Sequence, residues 1–229
     1  MPSDFLDRCL SDRRGFEQRI SVFYNSIQEM SIPSTFSIKE EWEKEFGIPL
    51  SEDFWQEVLS NINTPFINSR HCLIQYKIIH RLHYSRERLH KMYPDCSPLC
   101  EKCMIHYGNL LHCFSLCPRL QGFWCDIFTY LSNIFKSKIE PNPIVIIFGI
   151  SKETQNLQHS QKRFMSYALI IAKKLILQLW KGNETPVLKM WLTELTNTLH
   201  LEKIRYTMND NVKDFELIWH PLLTYLGKI

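Results

Sequence analysis

Glycine is scarce, with 7 residues in 229, and no tract repeats or narrows to a few residue types. A collagen-like chain or an extended flexible linker is therefore excluded. Strong charge of one sign is missing too: 27 Lys and Arg face 24 Asp and Glu, a net of +3. With 45% hydrophobic residues, the chain also lacks the low hydrophobicity that disorder requires. Met1 to Arg8 carries Asp4 and Asp7 and no apolar run, so no secretory leader is visible. The most apolar stretch, Phe164 to Trp180, is interrupted by Lys173-Lys174 and is shorter than the roughly 20 apolar residues a membrane span needs. The expectation is an intracellular chain of the cytoplasm or nucleus, without membrane contact, whose cysteines stay reduced.

Catalytic patterns are absent as well. There is no Asp-Asp pair, no aromatic-x-Asp-Asp motif, no Gly-rich phosphate loop, no nucleophile elbow and no Walker lysine, which excludes the usual carboxylate and phosphate machinery of phosphoryl transfer. The adjacent acids Glu40-Glu41 and Glu52-Asp53 fall where helices should begin, and the positive end of the helix dipole accounts for them. No enzymatic activity is expected.

What remains is helical periodicity and an unusual stock of 8 Cys and 9 His. Ser37-x-x-Glu40 predicts a capping box ahead of a helix closed by Gly47-Ile48-Pro49, and Ser51-Glu52-Asp53 opens a second helix. A third is predicted from about Asn68 to Tyr84, burying Cys72, Tyr76, Ile79 and His83. Helices are also expected over Leu120 to Phe135, Lys162 to Lys181 with Lys173, Lys174 and Lys181 as a narrow solvated strip, around Leu188 to Leu199, and around Phe215 to Leu226. Ile144 to Gly149 is too short to decide between strand and buried helix. The predicted fold is mainly α, helical domains around a small Cys3His zinc-binding loop. Its expected divisions are 1–36 (helical or extended), 37–95 (basic, helical), 96–135 (zinc loop and following helix), 136–161 (linker) and 162–229 (helical).

Cys100-Glu101-Lys102-Cys103, His112 and Cys117 give C-x2-C-x8-H-x4-C. Two thiolates separated by two residues reach one ion from a tight turn, and a His with a third thiolate completes a closed tetrahedron. One structural Zn2+ is expected, with no open position for chemistry. His112 and Cys117 lie about 140° apart on a helix, so they need a loop or a helix start to converge. Gly108 offers backbone freedom for a turn, Lys102 and Arg119 could offset the excess negative charge, and backbone N–H groups should bond the sulfurs. His106 and Cys113 are expected as spectators, and Cys9, Cys72, Cys96 and Cys125 as small core residues.

Just ahead lies a basic segment. Arg70, Lys77, Arg81, Arg86, Arg88 and Lys91 stand against Glu87 alone, a local +5, so the rest of the chain sums to −2. Tyr76, Tyr84 and Tyr93 are interleaved, offering faces on which bases could stack. Arg70, Lys77, Arg81, Tyr84, Arg86, Arg88 and Lys91 are the candidate contacts to RNA or single-stranded DNA, since cations on phosphates gain from counterion release.

The order of segments adds a resemblance. Trp42…Gly47-Ile48-Pro49-Leu50-Ser51…Trp55 is followed by His80-Arg81-Leu82-His83-Tyr84, Ser97-Pro98-Leu99-Cys100, Leu110-Leu111-His112 and Cys117-Pro118…Phe123-Trp124. Later come Ala172-Lys173-Lys174-Leu175-Ile176-Leu177…Trp180 and His200-Leu201-Glu202-Lys203-Ile204-Arg205-Tyr206. From about Ser37 to Leu226 this series resembles the C-terminal region of the polyprotein of vertebrate LINE-type, non-LTR retrotransposons. Its middle resembles the reverse-transcriptase zinc-binding domain. The resemblance implies Cys100, Cys103, His112 and Cys117 as zinc ligands and an accessory that binds template RNA or target DNA beside a reverse transcriptase. That family often has Thr or an acid just before Leu-Leu-His, where Gly108-Asn109 stands here. A scaffold docking on a polymerase or other protein, and an element remnant without a present role, are the alternatives.

Overall fold

The computed structural model describes residues 34–62, 68–151, 154 and 156–227, and the chain divides into two units, Met1–Leu50 and Ser51–Ile229. Cys9 lies outside the described residues. The described part of the first unit is helix α1, Ser34–Phe46, and its exit. Ser37 lies a turn inside α1, so the expected Ser37–Glu40 capping box does not form its start. Gly47 ends it at φ 69°, its N–H bonding Glu43 O at 2.8 Å. The Glu43 carboxylate then accepts from Leu50 N at 2.7 Å.

The second unit is helical throughout its regular parts, and among the described residues no strand forms. Helix α2, Glu52–Ser60, begins as expected, with Ser51 Oγ accepting from Phe54 N at 3.3 Å and Trp55 and Val58 buried. Helix α3, Ser69–Ile79, is shorter than predicted. Arg81 turns to φ 55°, and the N–H groups of Leu82 and Arg81 bond Lys77 O and Ile78 O at 2.8 and 2.9 Å. This is a Schellman closure with an arginine where glycine is usual, so the sequence carries no stop signal. The buried face of α3 is also rotated from the prediction: His71, Gln75, Ile78 and Ile79 point inward, while Tyr76 is 42% exposed.

Helix α4, Arg86–Met92, starts on Ser85, whose Oγ accepts from Arg88 N at 3.2 Å. Helix α5, Pro118–Phe135, buries Phe123, Trp124, Ile127, Phe128 and Leu131. Ile144–Gly149 resolves as helix α6, Pro143–Phe148. Asn142 Oδ1 caps Ile144 N at 2.8 Å, Pro143 pre-sets the first turn, and Gly149 closes it at φ 80°. End signals outweigh the β-branched residues between them. Val145, Ile146, Ile147 and Phe148 are all buried, so 136–161 is more than a linker: it supplies core.

Helix α7, His159–Gln178, is the hub and packs on α3, on α8 (Leu188–Met208) and on α9 (Val212–Tyr225). Its residues from Phe164 to Lys173 are buried on nearly every side, Ser166 excepted, as expected of a helix apolar all round. Lys173, foreseen as part of a solvated strip with Lys174 and Lys181, is 2% exposed. Its amine donates to Gln75 Oε1 at 2.6 Å and Ile147 O at 3.2 Å, while Gln75 Nε2 donates to Ile147 O at 3.1 Å. One polar triangle therefore joins α3, α6 and α7.

Candidate metal centre and the basic surface beside it

The four predicted ligands converge. Cys100 Sγ, Cys103 Sγ, the His112 ring nitrogen and Cys117 Sγ lie within 4.8 Å of one another, so they can hold a metal ion. Cys100 and Cys117 sulfurs are 3.9 Å apart, and Cys103 Sγ is 3.4 Å from His112 Nε2. Cys100, His112 and Cys117 are buried and Cys103 is half-buried.

Local structure explains the convergence. The first two ligands sit on a knuckle closed by Met104 N on Cys100 O at 2.8 Å and Cys100 N on His106 O at 2.9 Å. The isolated antiparallel bridge between Leu99 and Tyr107 holds its base. The other two flank a π turn, His112–Leu116, closed by Cys117 N on His112 O at 2.9 Å. An i to i+5 turn is wider than an α turn by one residue. It carries position i+5 back to nearly the same face as i, which removes the 140° mismatch. The Phe114 carbonyl in this turn accepts from the buried Trp124 indole at 2.8 Å. Asn109 Oδ1 accepts from His112 N at 2.8 Å, so an amide does the capping for which Thr or an acid is also suited.

The sulfurs are hydrogen-bonded as expected. The Cys103 thiol is held below its ordinary range: burial raises it, but the backbone N–H groups of His106 and Ile105 outweigh that. Cys113 acts on the ligands without joining them. Hydrogen bonding from Cys113, then from Cys117, holds Cys100 far down, while bonding to Cys100 pushes the Cys113 and Cys117 thiols up. Sulfurs this crowded do not all ionise unless a cation joins them. His106 is exposed, its ring stacked on His112 at 5.4 Å and its Nδ1 3.9 Å from Cys103 Sγ.

Three details differ from expectation. Gly108 has no left-handed φ; a Cβ there would fall 2.8 Å from Arg86 Cβ and 3.2 Å from Cys100 Cα. It is needed for close approach. Lys102 spends its amine on Leu179 O and Glu184 O, at 2.6 and 2.8 Å, 77 and 82 residues away. Cys125 is exposed on α5, and Cys72 and Cys96 are only partly covered, so these three are not core residues.

The basic segment docks on this knuckle. Arg86 Nη1 meets Glu101 Oε1 at 2.9 Å, Glu87 N donates to Gly108 O at 3.2 Å, and the His90 ring meets Cys96 O at 2.7 Å. Arg70, Lys77, Tyr84, Arg88 and Lys91 are exposed, and Arg81 and Arg86 are half-buried. Tyr84 is 53% exposed, with Arg88 over its ring at 5.0 Å, and Arg88 also donates to Arg81 O at 3.0 Å. Lys91 pairs with Glu87 at 2.7 Å. Tyr76, Tyr84 and Tyr93 all face outward.

Lys77, Tyr84 and Arg86 line a cavity of about 760 Å³ together with Cys100, Trp180 and Lys181. Trp180 and Lys181 were not foreseen as site residues. They end the apolar α7 segment, about 100 positions beyond the basic segment, and only tertiary packing brings them here. No model of a known protein family matches the chain. Among the described residues no helix is long and apolar enough to cross a membrane.

Proposed function

We propose that this protein is a zinc-stapled module that binds RNA or single-stranded DNA and performs no chemistry of its own. The carrying observation is the docking of the 70–91 segment on the Cys3His knuckle, with exposed cations and tyrosines on its surface and Lys77, Tyr84 and Arg86 lining one cavity. Zinc suits the donor set. Three thiolates and an imidazole form a closed structural site, and zinc–sulfur bonds of about 2.3 Å give tetrahedral edges of about 3.8 Å. The 3.9 Å separation of Cys100 and Cys117 is close to that edge. The ion would join the knuckle to the π turn, and with four protein ligands it leaves no place for a reacting water. The likeness of the segment series to the tail of a LINE-type reverse transcriptase supports the same role, an accessory to a polymerase.

Two measurements test this. Purified chain should carry one zinc per molecule, and Cys103→Ser should lower that stoichiometry; a metal-free parent overturns the staple. Binding to a short single strand should weaken with salt. Arg70→Glu with Lys77→Glu should lower the affinity and reduce the salt slope by about 1.4, at roughly 0.7 per phosphate contact. These positions suit the test better than Arg81 and Arg88, whose backbone and side chains close the Arg81 turn. Unchanged binding in the double variant refutes the surface.

One observation favours a second reading, a protein-docking scaffold. Leu201, Ile204 and Met208 form an exposed stripe on α8, Met208 being 79% exposed. Absence of nucleic-acid binding at low salt, with a stoichiometric protein complex lost on Ile204→Asp, would decide for it.

A further inference from the structure

We infer that the cavity beside the metal cluster is a pocket for one unpaired nucleobase, with Lys77 and Lys181 taking the phosphates on either side of it. This rests on the nucleic-acid reading above and gives that reading a place and a ligand class. The cavity, about 760 Å³, falls in the range of small-molecule sites. Leu82, Leu89 and Leu177 contribute apolar surface, and Trp180 the aromatic wall.

That wall is fixed before anything enters. The Trp180 indole N–H donates to Tyr84 O at 3.0 Å, and its ring meets Phe114 at 5.2 Å and His83 at 6.1 Å. An aromatic face already held in place loses little freedom when a base stacks on it. A peptide side chain could also fill an apolar hollow, but the charge around this one selects an anion. Arg86 is met by Glu101, and the Lys102 amine is used by two carbonyls. Lys77 and Lys181 are exposed, and neither pairs with an acid among the described residues. They come from α3 and from the segment after α7, so lysines of two separate elements line the cavity. Bases in a duplex present only edges to a protein, whereas an unstacked base presents a face. His83, also in the lining, is kept neutral by burial, with Lys77 nearby, its pKa lowered to about 4.

The test is equilibrium binding of the zinc-loaded full chain to a labelled single strand of about twelve uridines. Its comparators are an abasic strand of equal length, the same strand in a duplex, and a polyglutamate peptide of matched charge. Base–aromatic stacking of the usual strength predicts that the intact strand binds about tenfold or more tightly than the abasic one. Trp180→Leu should bring the intact strand down to the abasic level, and Lys181→Glu should weaken both. Equal affinity for intact and abasic strands in the parent protein overturns the pocket while leaving the phosphate surface standing, and needs no variant to fold. Equal affinity for duplex or polyglutamate also overturns it. Failure of every strand to bind at low salt removes the nucleic-acid reading itself.

Discussion

Lys173 gives the sharpest quantitative prediction. Burial alone lowers its pKa from about 10.5 to about 7, because an ammonium loses its hydration in the core and no carboxylate replaces it. The unfolded chain keeps the ordinary value. Between those two pKa values the unfolded state binds the extra proton, so stability must rise with pH. The penalty is fully present below pH 7, shrinks by about 1.4 kcal/mol per pH unit above it, and vanishes near pH 10.5. From pH 7.5 to 9.5 the gain is about 2–3 kcal/mol. Lys173→Met keeps the stem and removes the amine. It leaves Gln75 Oε1 without its 2.6 Å donor, a loss of about 1–3 kcal/mol, while relieving a larger penalty at neutral pH. The variant should therefore equal or exceed the parent in stability at pH 7.5 and lose that standing by pH 9.5. Urea unfolding followed by far-UV circular dichroism measures this. With a slope of about 2 kcal/mol per molar urea, the difference in midpoints should move by about 1 M between the two pH values. Tyrosine, cysteine and metal contributions occur in both proteins and cancel in the comparison. An identical pH dependence in parent and variant would refute the reasoning.

Two further substitutions test the local accounts. Gly108→Ala places a methyl 2.8 Å from Arg86 Cβ and should destabilise by about 1–3 kcal/mol, with faster loss of metal to a chelator; retention of both properties would remove the close-approach argument. Asn142→Ala deletes the cap on Ile144 N and should lower stability by about 1 kcal/mol, read as a shift in urea midpoint, while zinc content stays unchanged.

Much of this was legible before the structure, for identifiable reasons. The Cys3His cluster could be read because a two-residue thiolate spacing and a nearby His and Cys leave few other geometries. The helix start at Ser51 was visible, since capping chemistry is local. The end of α3 was not, because Arg81 occupies a left-handed position usually marked by glycine. The π turn that aligns His112 with Cys117 leaves no sequence mark either: its widening is supported by the buried Trp124 indole on Phe114 O, a tertiary partner. Lys173 misled for the opposite reason. Lys173-Lys174 read as a solvated strip, yet only Lys174 reaches an acid, Glu194, while its neighbour turns inward to Gln75. Trp180 and Lys181 join the basic segment only through the packing of α7, which no local pattern reports.

The two residues between Cys100 and Cys103 deserve a different description from spacer. Glu101 holds Arg86 with one oxygen and the Gly182 amide with the other, at 2.9 and 2.8 Å. Lys102 grips the carbonyls on either side of Trp180 and Lys181, those of Leu179 and Glu184. The cluster and the cavity wall are thus parts of one lever with a short arm. An ion held among the sulfurs and a ligand held in the cavity would share these residues, and any coupling between the two would act equally in both directions. The factor by which removing the ion changes the affinity for a cavity ligand would then equal the factor by which that ligand changes the affinity for the ion.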